Sequence, residues 1–288
     1  MSNLARIFAV AVAAATAAAC LVSAPAIAVP DGVTAGVAVF DRRTGRFTES
    51  HDARVRFRSA SIVKLLIALD FLWERAPAYD VPDADRTRLE PMLRSSDDAA
   101  ASYYWRLNGY AAVVDRMVAR LGLRDTAAPP TEWRTYWGYT AISAADTVRV
   151  YRYVLDEAPA PVRTFVMENL RLSTRCAVDH YDQSFGIPSA FARPWAVKQG
   201  WSGFGDAAPG PCAPQAVPVQ RPTVSTAGTP GVPDLISEAL HTTGVVGAGD
   251  RSIVVVYTLH PDGTAYERAA TDLTRLTRGL RVPGATRS

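Results

Sequence analysis

Strand-like and helix-like patterns are distributed along this chain in an order that leaves few folds open. Strands stand at both ends of the chain and a long helical middle lies between them. Residues 36–40 (GVAVF) and 46–49 (RFTE) flank the Thr44-Gly45 turn, the pattern of a β-hairpin. Toward the other end, 195–198 (WAVK), 242–246 (TTGVV) and above all 252–259 (SIVVVYTL) are strand-like, and 266–280 closes as an amphipathic helix on Ala269, Leu273, Leu276 and Leu280. In between, Ile62, Leu65, Leu66, Leu69 and Leu72 recur at helical spacing over 61–73, and helical periodicity persists over 84–172. Gly122 is placed to cap the helix 111–121, Ser143 and Asp146 begin a helix over 143–155, and 161–172 carries Val162, Phe165, Val166 and Leu170. Antiparallel strands from the two ends can join one sheet, so the expected fold class is α+β: that sheet, flanked by helices, plus an all-helical lobe at about 75–175.

The chain has 288 residues and a formal net charge of +3, with 28 acidic residues interspersed among 31 basic ones. No basic patch suited to nucleic acid stands out, and no nucleic-acid partner is expected. Within the basic count the imbalance is extreme: Lys64 and Lys198 are the only lysines, and the rest are arginine. A lysine can be deprotonated by burial and an arginine cannot, so these two mark positions where arginine would not serve.

Residues 1–28 read as a secretory signal peptide, with Arg6, an Ala-rich apolar run and a small-x-small site at Ala26-Ile27-Ala28. A retained membrane anchor or a lipid anchor on Cys20 are the other readings of this segment. The expectation is a secreted or extracytoplasmic domain over 29–288, monomeric, with no stable membrane span after cleavage. Cys176 and Cys212 then remain, and an oxidising compartment favours their bridging. No cysteine or histidine spacing suits a metal, and neither a metal nor a cofactor is expected. Residues 204–234 hold seven prolines and four glycines and read as a loop insertion, either a stapled surface loop or a flap over a cleft.

Three short motifs carry chemistry. Ser61-Ile-Val-Lys64 opens an apolar helix, where one turn sets both side chains on the same face. A serine near the positive end of a helix has backbone N–H groups close by, and a partly buried lysine beside it can serve as its base. Ser96-Asp97-Asp98 precedes an alanine run; it suits a helix N-cap and equally a second hydroxyl presented to a cleft. Lys198-Gln199-Gly200 ends a strand.

In this order the motifs resemble those of the penicillin-recognising serine hydrolases, the class A-type β-lactamases and the related D-Ala-D-Ala peptidases, whose signature is S-x-x-K, S-x-N and K-T-G. The stretch 137–146 (WGYTAISAAD) resembles the turn and helix after the Ω loop in secreted actinobacterial members, and 251–258 with 266–268 resemble the last strand and helix. The resemblance implies a β-lactamase-like fold with Ser61 as acylated nucleophile, Lys64 as its base and Ser96 as proton shuttle to the leaving group. Lys198 would hold a substrate carboxylate and polarise Ser96. Asp98, Gln199, Gly200 and Trp201 would line the substrate, and the N–H groups of Ser61 and Trp201 would form the oxyanion hole. Asp98 replaces an asparagine and can only accept hydrogen bonds while ionised; Gln199 replaces a threonine or serine; Trp201 is bulky where a small residue is common. Glu132 is the one glutamate in the region of the family's water-activating glutamate, but it lacks the E-x-x-L-N context, and a surface loop glutamate is the other reading.

The resemblance therefore implies an exported serine hydrolase forming an acyl-enzyme on Ser61, with a small-molecule β-lactam or a peptidoglycan-type amide or ester as substrate. A D-Ala-D-Ala peptidase, or a non-catalytic cell-wall or penicillin-binding module with slow or no deacylation, is the alternative.

Overall fold

A computed structural model describes residues 27–205, 207, 210–215 and 234–288. The segment read as a signal peptide, up to Ala26 and including Cys20, and most of the 204–234 insertion lie outside these residues.

The strands are β1 (Thr34–Asp41), β2 (Arg46–His51), β3 (Phe57–Arg58), β4 (Ala141–Ile142), β5 (Trp195–Ser202), β6 (Glu238–Val246) and β7 (Ser252–His260). The helices are α1 (Lys64–Trp73), α2 (Asp83–Arg94), α3 (Asp98–Leu107), α4 (Ala112–Leu121), α5 (Ala144–Arg152), α6 (Ala160–Arg171), the short α7 (Ile187–Ala190) and α8 (Tyr266–Gly279). Strands from both chain ends form one five-stranded sheet in the order β2-β1-β7-β6-β5, and its pairings are all antiparallel. β3 and β4 make a separate two-residue ladder.

The uninterrupted apolar run in β7 follows from burial on both sheet faces. Ile253, Val255 and Tyr257 face one core with Ala38 and Phe40 of β1, where α1 to α6 pack. Val254 and Val256 face the other with Val37 and Val39, against α7 and α8. One strand edge of the sheet is β2, half-exposed; the other, β5, is covered by the turn that leads into α1.

α1 is buried from Lys64 to Leu72, so it behaves as a core helix rather than an amphipathic surface one. Its two charged side chains are both paired. Asp70 is held by Arg116 at 2.6 and 2.8 Å, by Asn108 at 3.1 Å and by Arg120 at 3.3 Å. The local signals for the middle helices hold: Gly122 ends α4 with φ +60°, and the Ser143 hydroxyl accepts the Asp146 N–H at 3.1 Å to cap α5. The 96–98 stretch fills both roles read for it, cap and cleft hydroxyl. The cap of α3 is Asp97, whose carboxylate accepts from the Ala100 N–H at 2.9 Å, and Ser96 stands outside the helix with φ +58°.

Cys176 and Cys212 are bridged across a sequence separation of 36 residues. A loop of that size stabilises the fold by roughly 3–4 kcal/mol on chain-entropy reasoning. Reduction, or the Cys176→Ser/Cys212→Ser double variant, is expected to lower the unfolding free energy by about that amount, read from denaturant midpoints with and without reductant. Intact mass under non-reducing conditions should fall two hydrogens short of the dithiol form.

Candidate active site

The nucleophile candidate lies where α1 begins. Residues Ala60–Val63 form a 3-10 turn that runs directly into α1, and Ala60 before the serine has φ +45°. Left-handed backbone at a non-glycine residue is costly and persists where surrounding packing fixes it. Three contacts fix it here. The Ser59 N–H donates to Thr140 O at 2.8 Å, which ties the turn to the 131–140 segment. The carbonyl of Ser59 accepts the Ile62 N–H at 3.0 Å. On the far side β5 presses close at Gly200, where an added Cβ would stand 3.1 Å from Ile62 Cγ1 and 3.2 Å from Ser59 O. The glycine of the third motif thus lets strand and turn approach.

The side chains of the first two motifs meet the lysine of the third. Lys64 Nζ lies 2.9 Å from Ser61 Oγ, 3.1 Å from Ser96 Oγ, 2.6 Å from Ser96 O and 2.5 Å from Asp98 Oδ1. Lys198 Nζ lies 2.9 Å from the same Ser96 Oγ and 3.0 Å from its neighbour's carbonyl, Gln199 O. The Ser96 hydroxyl is therefore a bridge between the only two lysines of the chain, which come from residues 134 positions apart. Its left-handed backbone is what turns the hydroxyl and carbonyl of one residue onto the same amine.

Burial sharpens the electrostatics. Ser61 is 5% exposed, Ser96 3%, Lys64 0% and Lys198 1%. Burial pushes Lys198 well below the usual ammonium range, the positive charge of Lys64 adds to that, and Asp98 and Asp179 oppose it. Lys64 also stands 4.7 Å from the centre of the Trp137 ring, whose indole N–H is fixed on Ser102 Oγ at 3.1 Å.

Three expected site residues have their side chains elsewhere. Alternation along β5 sends Lys198 and Gly200 to one face and Gln199 and Trp201 to the other. The Gln199 amide donates to the carbonyls of Phe185 at 2.7 Å and Gln183 at 3.1 Å, so its side chain is not at the serine cluster. The Trp201 ring packs with Tyr181 and Phe185, and its indole N–H donates to Asp179 Oδ2 at 2.9 Å; only its backbone remains beside the turn. Glu132 sits on the 131–133 turn with its side chain in solvent, and among the described residues it makes no hydrogen bond or ion pair.

Sequence reasoning missed Asp179. It follows the Val178 N–H, which donates to Ser95 O at 2.9 Å beside Ser96, and it reaches Trp201 across the rim. Burial pushes its carboxyl up, the charge of Asp98 adds to this, and Trp201 and Lys64 pull it down. A single aspartate in an irregular loop carries no local signal of this kind; only the chain path past Ser95 places it. A cavity of about 880 Å³ also opens on the opposite face, between α8 and residues 180–189, and none of the serine–lysine cluster lines it. The chemistry, not this cavity, locates the site.

Comparison with known proteins bears on the family and the fold. No family profile matches the chain. "Putative lipoprotein LppW" of Mycobacterium tuberculosis is 35% identical over 244 residues, covering 83% of this chain and 67% of that protein, and its Mycobacterium bovis counterpart matches equally. The chain belongs to the LppW family. Among solved structures, a β-lactamase from Burkholderia vietnamiensis aligns with a TM-score of 0.61 at 16% identity, covering 86% of this chain and 89% of that one. The class A β-lactamase of Mycobacterium abscessus gives 0.59 at 16% identity (86% and 92% covered), and PBP-A gives 0.59 at 14% (88% and 90% covered). The LppW-family chain therefore has the β-lactamase-like fold. Its disulfide fits an oxidising, extracytoplasmic compartment.

Proposed function

We propose that this LppW-family protein is an exported serine hydrolase that forms an acyl-enzyme on Ser61. The observation that carries the reading is the Ser96 hydroxyl held between Lys64 and Lys198, with Lys64 also on Ser61.

The proton path follows from these contacts. Lys198, driven toward its neutral form by burial, takes the Ser96 proton as Ser96 takes one from Lys64. Lys64, now neutral, accepts the Ser61 proton as Ser61 Oγ attacks the substrate carbonyl. On this reading the N–H groups of Ser61, on the turn, and Trp201, on the facing strand, would hold the oxyanion, as the family resemblance implies. Collapse of the intermediate expels the leaving group, which receives a proton from Ser96, resupplied by Lys198. No cofactor enters this sequence of steps.

Release of the acyl group is the weaker half. Glu132 is solvated and, among the described residues, without a hydrogen-bond or ion-pair partner, so it is not held in place to activate a deacylating water. The reading is thus an acylating protein of the peptidase or penicillin-binding kind, whose adduct persists, acting on a β-lactam or on a peptidoglycan-type amide or ester. The name carried by the mycobacterial relatives favours a lipid anchor at Cys20 over cleavage after Ala28.

The test is intact mass after incubation with a fluorescent penicillin, a chromogenic cephalosporin and p-nitrophenyl butyrate. A covalent adduct in the wild type, absent in Ser61→Ala and lasting beyond many enzyme half-turnovers, is the expected result. No adduct with any of them, nor with a D-Ala-D-Ala peptide, leaves the non-catalytic binding module as the reading.

A further inference from the structure

Beside the nucleophile turn lies a buried arginine that the proton path does not use. Arg58 ends β3, three residues before Ser61, and is 1% exposed. Arginine is the common base of this chain and carries no signal in the sequence, but a fully buried one has to be held by acceptors. Three of its acceptors lie together. Nη2 donates to the carbonyls of Ser202, at 3.1 Å, and of Ser237, and Nη1 donates to the carbonyl of Asp234 at 3.2 Å. Ser202 is the last residue of β5 and Ser237 directly precedes β6. The guanidinium thus closes the end of the β5–β6 pair, where the chain leaves at Gly203 and returns at Ser237. Gly203 permits this: it has φ +96°, and an added Cβ would stand 2.9 Å from Arg58 Nη2. On the return side the Asp234 carboxylate fixes its own turn. It accepts the N–H groups of Ile236 at 2.7 Å and Ser237 at 3.0 Å, and the Ser237 hydroxyl at 2.7 Å. The backbone of Arg58 is fixed as well, paired with Ala141 of β4 and with its carbonyl 2.9 Å from His241 Nε2 on β6.

We propose that Arg58 is a positioning residue for acylation: its guanidinium fixes the separation between the nucleophile turn and the end of β5, and ties that separation to the return of the chain at Asp234 and Ser237. The inference rests on the acyl-enzyme reading, although its mechanical half is readable in the resting protein. Arg58 joins the two elements whose spacing acylation depends on. Its backbone runs straight into Ser59–Ser61, and its side chain holds the residue that follows Trp201. The two elements already approach closely, since an added Cβ on Gly200 of β5 would stand 3.2 Å from Ser59 O. An oxyanion held from both sides needs donors set to within a few tenths of an ångström, and a displacement of about 1 Å costs about 10²-fold in rate. The requirement is for the fork and not for positive charge alone. A planar guanidinium serves several carbonyls in fixed directions, whereas a lysine amine is a compact point charge on a flexible stem. Without the fork, the carbonyls of Ser202, Asp234 and Ser237 each lose a donor, and the end of the β5–β6 pair is free to part.

The experiment compares wild type, Arg58→Lys and Arg58→Ala, each at a temperature where circular dichroism shows it folded. Intact mass follows the Ser61 adduct with a fluorescent penicillin and with p-nitrophenyl butyrate over a range of concentrations, which separates the saturated rate from the half-saturating concentration. Arg58→Ala should lower the saturated rate by about 10²-fold and Arg58→Lys by about ten-fold, with the half-saturating concentration moved by less than about three-fold in both. A variant that is merely less stable would keep the wild-type saturated rate once folded. In the resting proteins, hydrogen–deuterium exchange should rise together over 57–64 and 195–203 in both variants, while α8 stays as protected as in wild type. Should Arg58→Ala fail to fold, Arg58→Lys decides alone. A saturated rate within about two-fold of wild type in folded Arg58→Lys, a loss that falls on the half-saturating concentration instead, or unchanged exchange at either segment overturns the proposal. Failure of the acyl-enzyme reading shows separately, as wild-type Ser61 left unmodified by both reagents. The catalytic half then falls with it, and the exchange measurement decides whether Arg58 sets the separation of the two elements.

Discussion

Replacing Lys64 with arginine is expected to slow acylation of Ser61 by about 10³-fold. The reason is chemical before it is steric. At 2.9 Å from Ser61 Oγ, the residue at position 64 must give up a proton and then take one, and a guanidinium keeps its protons at any pH the protein tolerates. Fit adds a second penalty. Lys64 is fully buried at the head of α1, among four oxygens and the Trp137 ring, and a planar fork overfills that space at about 1–3 kcal/mol. Lys64→Met separates the two effects. It keeps the volume and removes the amine, and the Asp98 carboxylate it leaves unpaired is 60% exposed and stays hydrated. The pair therefore behaves like a surface one, whose loss costs no more than about 1 kcal/mol, and not like a buried pair at 3–5 kcal/mol. The methionine variant should fold with a near-native denaturant midpoint and still fail to form the Ser61 adduct. Acylation within ten-fold of wild type in that folded variant would remove Lys64 from the role of base.

The parts of this molecule that could be read from sequence are those where one local pattern has one physical cause. The apolar β7 run, the helical spacing of α1 and the caps at Gly122 and Ser143 each depend on residues within a turn or two, and they appear where the spacing places them. The two lysines were legible for a different reason: in an arginine background each survivor marks a place where a guanidinium would not serve, and the two converge on one hydroxyl. What depended on the pleat or on chain path was not legible. Gln199 follows Lys198 in the motif, yet the alternation of β5 sends it to the opposite face. The 96–98 stretch was legible as a helix cap and as a cleft hydroxyl, but only the chain path assigns the cap to Asp97 and the hydroxyl to Ser96. Asp179 enters through a loop with no periodicity at all, brought beside Ser95 by a single backbone hydrogen bond and to Trp201 by its carboxylate. Glu132 shows the converse. It lies in the right stretch of chain, and the 3-10 turn that carries it turns its side chain to solvent.

Lys198→Met is expected to separate activity from stability. Loss of the amine leaves the Ser96 hydroxyl with Lys64 alone, at 3.1 Å, and removes the second stop on the proton path, so acylation should fall by about 10²-fold. Stability should move the other way or hold level. The wild-type amine is fully buried, and burial is the main cause of its depressed pKa, so its charged form costs free energy in the folded protein at neutral pH. Methionine fills nearly the same volume without that cost. Against the gain stand two hydrogen bonds, to Ser96 Oγ and Gln199 O, each worth about 1 kcal/mol net. The balance is a variant as stable as wild type or more stable by about 1–2 kcal/mol near pH 7. The pH dependence fixes the sign. With the folded pKa depressed below the unfolded value of 10.5, the unfolded chain binds the extra proton in between, so wild-type stability rises with pH across that window. Methionine cannot contribute such a rise, so the advantage of the variant should shrink steadily between pH 7 and 9, and comparing the two proteins at each pH cancels the other titrating groups. Urea unfolding of both across that range reads it directly. A variant several kcal/mol less stable than wild type, or a difference that does not change with pH, would mean that Lys198 is held as a well-compensated ammonium, and the proton path through Ser96 would lose its acceptor.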